Sequence, residues 1–269
     1  MSFALGSRAA SAGYRLFAFD KAGSTNAEAM LRGRDGERGS AWFVTTEQTA
    51  GRGRRQRAWI APRGNLASSV LEVMDVTPAV AATMGFAFGL AHETALQRVS
   101  VEANLRLAGS DQLKYLLKWP NDILVRGQKL CGLLVEAEAV EGGLAVVAGI
   151  GTNIIAAPEG TPTPATSLNA LGVHVGAAEL FGALSDAWVE FFGIWDRGRG
   201  FAEIRKLWLE RAAGLGERVA INLGAATVEG TFDTIDETGC LIVRTVEGRR
   251  VPVTAGEVYF GTAASVGAA

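Results

Sequence analysis

The chain has 269 residues, 48% hydrophobic and 20% charged, enough for one large domain or a domain with a smaller appendage. A net charge of −2 and a pI near 5.8 argue against a protein that wraps nucleic acid, which carries a broadly basic face. There is no apolar run of about 18 residues and no signal-peptide core. Cys131 and Cys240 lie far apart and offer no disulfide framework, zinc spacing or CxxC pair, so a cytoplasmic protein without membrane contact is expected.

Ser40–Gln48 (SAWFVTTEQ) reads as a strand entering an arginine-rich loop, and Asn65–Met74 as the strand leaving it. Pro78 opens a stretch rich in Ala, Leu and Phe that continues through Val99 without another proline, which predicts a buried helix with Pro in its first turn. Residues 115–154 predict three strands, with a bend at Trp119–Asp122, a hairpin at Arg126–Gln128 and a return strand ending in a glycine turn. Ala156–Thr166, with Pro158, Pro162 and Pro164, is expected to be an exposed loop. Leu180, Leu184, Trp188, Phe191 and Trp195 recur at helical spacing, and a shorter helix should cover about Ala202–Ala212. From Gly214 the short alternating segments ERVAINL, ATVEGTFDTIDETG, CLIVRTVEG and RRVPV predict a small all-β barrel. The fold class is α+β, with one domain over 1–213 and a small β domain over 214–269.

The concentrated chemistry begins at Thr49–Trp59, TAGRGRRQRAW. Four of the seven residues from Gly51 to Arg57 are arginine and two are glycine. Glycines let successive backbone N–H groups converge on an anion, and guanidinium forks suit phosphate and carboxylate oxygens. A solvated turn in an arginine-rich chain is the plainer account, but Trp59 just beyond the loop could stack on a base. In KWPND, Pro120 biases Trp119 away from helix, so that Lys118 and the Asn121-Asp122 pair flank a fixed bend. The lysine suits a phosphate and the Asn-Asp oxygens suit Mg²⁺, unless the pair only makes a turn. Lys129 lies near Gly132, where a ligand could approach the backbone, and GIGTNI (Gly149–Ile154) places Asn153 beside two glycines.

GSTN (Gly23–Asn26), EQTAGRGRRQRAW, KWPNDI, KLCGLLVE and GIGTNI stand in one order, and in this order the chain resembles the biotin protein ligases over about residues 20–155. The resemblance implies a mixed-sheet, class II synthetase-like catalytic domain of the biotin/lipoate ligase fold, followed by an SH3-like β domain. It implies that Ser24, Thr25, Asn26, Gln48, Gly51, Arg52, Lys129, Gly132, Gly149 and Gly151 hold biotin. Arg52, Arg54, Arg55, Trp59, Lys118, Asn121 and Asn153 would hold ATP and the adenylate, with Lys118, Arg54, Asp122 and Lys129 catalytic and Asp122 a ligand for Mg²⁺. The implied reaction forms biotinyl-5′-AMP from biotin and ATP, then transfers biotin to a lysine of a carboxylase carrier protein. About twenty residues precede AGSTN, too few for a helix-turn-helix domain, so no repressor activity is expected. His92, His174 and Cys131 read as structural, and a homodimer through an exposed sheet edge is compatible with the pattern. Two other readings compete: a lipoate or octanoate ligase-like transferase, and a nucleotide-binding or nucleic-acid-binding module.

Overall fold

The structure, a computed structural model, describes residues 2–107, 113–161, 163–223 and 226–260. Its larger sheet contains β1 (Arg15–Phe19), β2 (Ala41–Thr45), β3 (Leu66–Met74), β4 (Tyr115–Lys118), β5 (Asp122–Val125), β6 (Gln128–Val140) and β7 (Gly143–Thr152). Their order is β1-β2-β3-β7-β6-β5-β4, with β1 and β2 parallel and every other pair antiparallel, so the sheet is mixed.

Strand alternation divides the core into two layers. On one face Trp42 meets Phe88 and Phe181, which belong to α3 (Pro78–Leu107) and α4 (Ala177–Trp195). The opposite face carries Phe43, Leu71 and Val147, covered by Ala29 and Met30 of α2 (Thr25–Arg34). A short α1 (Ser7–Ser11) leans on α4, whose Asp186 carboxylate accepts from the backbone N–H groups of Arg8 and Ala9. Buried Glu72 of β3 accepts from Tyr14 Oη at 2.8 Å, Ser40 Oγ at 2.6 Å and Trp188 Nε1 at 3.3 Å. Burial nonetheless pushes its pKa up.

The stretch 115–154 forms four strands where patterning predicts three, because Trp119–Asn121 closes a full turn that pairs Lys118 with Asp122. The next hairpin turns on Arg126 and Gly127, both at positive φ, as a two-residue connection of this hand requires. The expected glycine turn at Gly149–Thr152 is absent: these residues stay in β7, paired with both β3 and β6. Their glycines serve side-chain clearance instead. A Cβ at Gly149 would overlap the Asn26 amide, and one at Gly151 would strike the Trp59 indole.

The second sheet contains β8 (Arg218–Asn222), β9 (Thr227–Ile235), β10 (Leu241–Arg244), β11 (Arg250–Val253) and β12 (Glu257–Phe260), all antiparallel in the order β11-β10-β9-β8-β12. Patterning misses β12, a four-residue strand, and the expected second domain extends past residue 260 beyond the described residues. The helix α5 (Phe201–Leu209) stops short of the predicted Ala212, because residues 211–213 leave it to pair with Leu117. Trp119 Nε1 donates to the Gly239 carbonyl at 3.1 Å and ties the second sheet to the β4–β5 turn. Ala156–Thr166 is exposed only in part, since Thr166 is buried and its N–H donates to the Lys129 carbonyl, and Pro162 lies outside the described residues. No helix among the described residues is long and apolar enough to cross a membrane.

Candidate active site

The site starts at the N-terminus of α2. Ser24 is its N-cap, in extended geometry, with Oγ 3.5 Å from the Ala27 N–H. The cap turns Ser24, Thr25 and Asn26 toward the sheet, where all three are buried. Gln48 follows β2 and is fixed by its carbonyl: Oε1 accepts from Thr25 N at 2.8 Å and Thr25 Oγ1 at 3.2 Å. Because the carbonyl end is engaged, the amide donors of Gln48 are oriented away from Thr25.

The arginine loop folds back on itself. Gly53 N donates to Arg57 O at 2.8 Å, and Trp59 N to Gly51 O at 2.9 Å. Between them lies a single 3-10 turn, Arg54–Gln56, in which Arg55 and Gln56 hold φ of 54° and 60°. Non-glycine residues in that region carry backbone strain, so the loop's shape depends on its side-chain anchors. Arg54 Nη1 donates to Asn121 Oδ1 at 3.3 Å, Arg57 pairs with Glu257, and Arg52 Nη2 lies 3.5 Å from Glu136 Oε1. Burial first, then the neighbouring Arg55, pulls the Arg54 pKa down, though a guanidinium stays charged in any practical pH range.

Lys118 and Asp122 face each other across the β4–β5 turn. Burial lowers the Lys118 pKa, opposed by Asp122 and reinforced by Lys129, and its Nζ lies 5.6 Å from the Phe260 ring centroid. Lys129 Nζ stands 2.7 Å from Asp122 Oδ1, an ion pair whose angles are not those of a hydrogen bond. Trp59 lies across the glycine floor. A Cβ at Gly132 would come 2.9 Å from its Cζ3, and Lys129 Nζ is 5.5 Å from the indole. Asn153 is buried, and its Oδ1 is 3.4 Å from Asn65 Nδ2.

These groups border one cavity of about 480 Å³. Of the residues expected from the sequence, only Gly51 is not on its wall; it is buried behind Gln48 and Trp59. Six cationic side chains line the cavity against three carboxylates, Asp122, Glu159 and Glu257, which suits a polyanion. Patterning gives no hint of Glu257, Gly256, Val258 and Tyr259, which reach the cavity from the second sheet, nor of the Pro158–Thr161 segment. Their contribution depends on contacts between residues some two hundred positions apart, such as Arg54 Nη1 with Gly256 O at 3.5 Å. Among the described residues no three or more His, Cys, Asp or Glu side chains cluster as a metal site. Asp122, already engaged by Lys129, does not make a resident Mg²⁺ site by itself.

A polar recess and a cationic loop on a mixed sheet define an acid-activating ligase fold, and the chain belongs to the biotin/lipoate A/B protein ligase family, which residues 18–153 match. Residues 214–261 match the biotin protein ligase C-terminal domain. The chain is 38% identical over 245 residues to the biotin–acetyl-CoA-carboxylase ligase of Paracoccus denitrificans, covering 88% of this chain and 97% of that one. It is 33% identical to the enzyme of the same name from Mycobacterium tuberculosis, over 88% of this chain and 85% of that one. The fold is that of the biotin protein ligase from Aquifex aeolicus in complex with biotin and ATP, with a TM-score of 0.72, 24% identity, and coverage of 92% of this chain and 98% of the other.

Proposed function

We propose that the protein is an ATP-dependent biotin protein ligase, which forms biotinyl-5′-AMP from biotin and MgATP and passes the biotinyl group to a lysine of a carboxylase carrier domain. The observation that carries this reading is one cavity combining neutral hydrogen-bonding groups, Ser24, Thr25 and Gln48, with an excess of cations. The names of the relatives from Paracoccus and Mycobacterium support it.

In the first step a biotin carboxylate oxygen attacks the α-phosphorus, the bond to the β-phosphate breaks, and pyrophosphate leaves. Two anions must meet, so Lys118, Lys129 and Arg54 offset their repulsion and stabilise charge developing on the phosphate. Mg²⁺ travels with the triphosphate as part of the substrate, and Asn121 assists through its hold on Arg54. Arg52 and Arg55 close over the product, while Trp59 packs on the adenine and Asn153 faces it. In the second step an uncharged lysine amine attacks the mixed anhydride, the C–O bond to AMP breaks, and the amine sheds a proton. We assign the carbonyl oxygen to Lys118, because the Asp122 carboxylate is engaged by Lys129.

The docking surface we favour for the carrier domain is the edge of β6 beyond Gly132, where β7 is its one ladder partner among the described residues. The same edge could pair two copies of this chain. We place the domain boundary between residues 213 and 214, and the protein in the cytoplasm. A lipoate ligase is less favoured, because a long apolar acyl pocket has no use for Ser24, Thr25 and Gln48.

The test is mass spectrometry of a carboxylase carrier domain incubated with the protein, MgATP and either biotin or lipoate. One biotinyl mass gain is expected, and Lys118→Ala should slow it by about 10²–10³-fold. A lipoyl gain alone would move the assignment to the sister activity. No gain with either acid and a competent acceptor would sink it.

A further inference from the structure

One polar chain runs through the wall of the cavity and joins its lid to its floor. Glu136, on β6, does not border the cavity, yet its carboxylate bridges two groups that do. Oε2 accepts from Asn26 Nδ2 at 2.8 Å, and Oε1 is 3.5 Å from Arg52 Nη2. Asn26 Nδ2 also lies 3.3 Å from the Leu134 carbonyl, so both amide protons are directed at protein acceptors. Its Oδ1 accepts from Ser69 Oγ at 2.6 Å, and Ser69 Oγ is 2.7 Å from Thr25 Oγ1. Thr25 in turn holds Gln48.

The chain is a built feature. Gly149 leaves room for it: any larger residue there would overlap Asn26 Oδ1 and crowd Ser69 Oγ. An ionised carboxylate only accepts, so Glu136 dictates which end of the Asn26 amide faces it. The other end must then present oxygen to Ser69, which spends its single hydroxyl proton on Asn26 Oδ1 and keeps its oxygen as an acceptor facing Thr25 Oγ1, while the Thr25 backbone N–H holds Gln48. The same carboxylate restrains Arg52 at the first turn of the arginine loop.

We propose that Glu136 is a positioning residue that couples the arginine loop to the acid-binding floor through Asn26 and Ser69, so that the loop and the pocket are ordered together. The proposal rests on the biotin ligase reading for its substrate, but its geometry is independent of that reading. A glutamine at 136 can present either oxygen or N–H, so the proton order of the chain is no longer dictated, and the charge on Arg52 loses its partner.

The experiment compares Glu136→Gln, Ser69→Ala and the double variant, each first shown to unfold cooperatively in urea. In biotin-dependent pyrophosphate exchange the KM for biotin should rise about tenfold in either single variant, with kcat within about threefold. The double variant should be no worse than the poorer single one, as for members of one network. A second readout needs no substrate: tryptic cleavage within Arg52–Arg57 should accelerate several-fold in Glu136→Gln, with the remaining sites cut at the wild-type rate. Unchanged KM in folded variants, or penalties that multiply, would overturn the coupling; so would unchanged cleavage in Glu136→Gln. If the wild type activates neither biotin nor lipoate, the ligase reading fails, and the cleavage rates decide the role of Glu136 alone.

Discussion

Gly151→Ala puts the fit between floor and lid to a direct test. A Cβ there would lie 2.8 Å from Trp59 Cζ2 and nearer still to Nε1 and Cε2. β7 cannot give way, because Gly151 is paired on one side with Ala67 and on the other with Gly132 in the middle of the sheet. The indole must therefore retreat by about 1 Å to recover ordinary van der Waals separation. Trp59 is only half-buried and has solvent to move into, so stability should fall by about 1 kcal/mol, the low end for an overpacked site. The consequence for function should be larger. Trp59 N is bonded to Gly51 O, so a shifted ring pulls on the base of the arginine loop. A displacement of about 1 Å in a positioning element can cost up to about 100-fold in rate. Pyrophosphate exchange driven by biotin and MgATP should accordingly drop in kcat/KM by about 10–100-fold, or roughly 1.4–2.7 kcal/mol. In a Trp59→Ala background the collision partner is gone, and Gly151→Ala should then cost less than about threefold more. Equal penalties in both backgrounds would refute the steric account.

Three further outcomes follow from the same geometry. His92 is fully buried against Thr152 Oγ1 at 2.8 Å, and burial pulls its pKa from 6.5 down to about 3. The unfolded chain then binds a proton that the folded one excludes, so this contribution is complete above pH 6.5 and is lost as the pH falls toward 3, by about 1.4 kcal/mol per unit; urea titrations at pH 7, 6 and 5 should show that slope in the wild type and its loss in His92→Gln. Trp119→Phe removes the hydrogen bond to Gly239 and should cost about 1–2 kcal/mol in urea unfolding, with KM for ATP rising more than KM for biotin. Cys131 is buried and its thiol pKa is pushed up by that burial, whereas Cys240 is partly exposed, so Ellman's reagent should titrate one thiol in the native protein and the second only on unfolding.

The local chemistry was legible in the sequence. Pro78 and the unbroken Ala-Leu-Phe run specify a buried helix, the 3.6-residue spacing from Leu180 to Trp195 specifies α4, and Arg126-Gly127 specifies a tight hairpin, because each depends on neighbouring residues alone. Lys118, Lys129 and the arginines stood out for the same reason: charge beside glycine or proline needs no tertiary context to be noticed. Three things had no such local signal. Gly149 and Gly151 look like a turn, but they lie within a strand, as clearance for Asn26 and Trp59, residues that only the folded sheet brings over them. Glu257 pairs with Arg57 across two hundred positions of chain. Glu136 sits in an ordinary alternating strand, and its bond to Asn26 appears only once α2 is packed on β6. Composition and periodicity select which residues can carry this chemistry, while the distances that make a site of them arise from long-range packing, which no window of sequence contains.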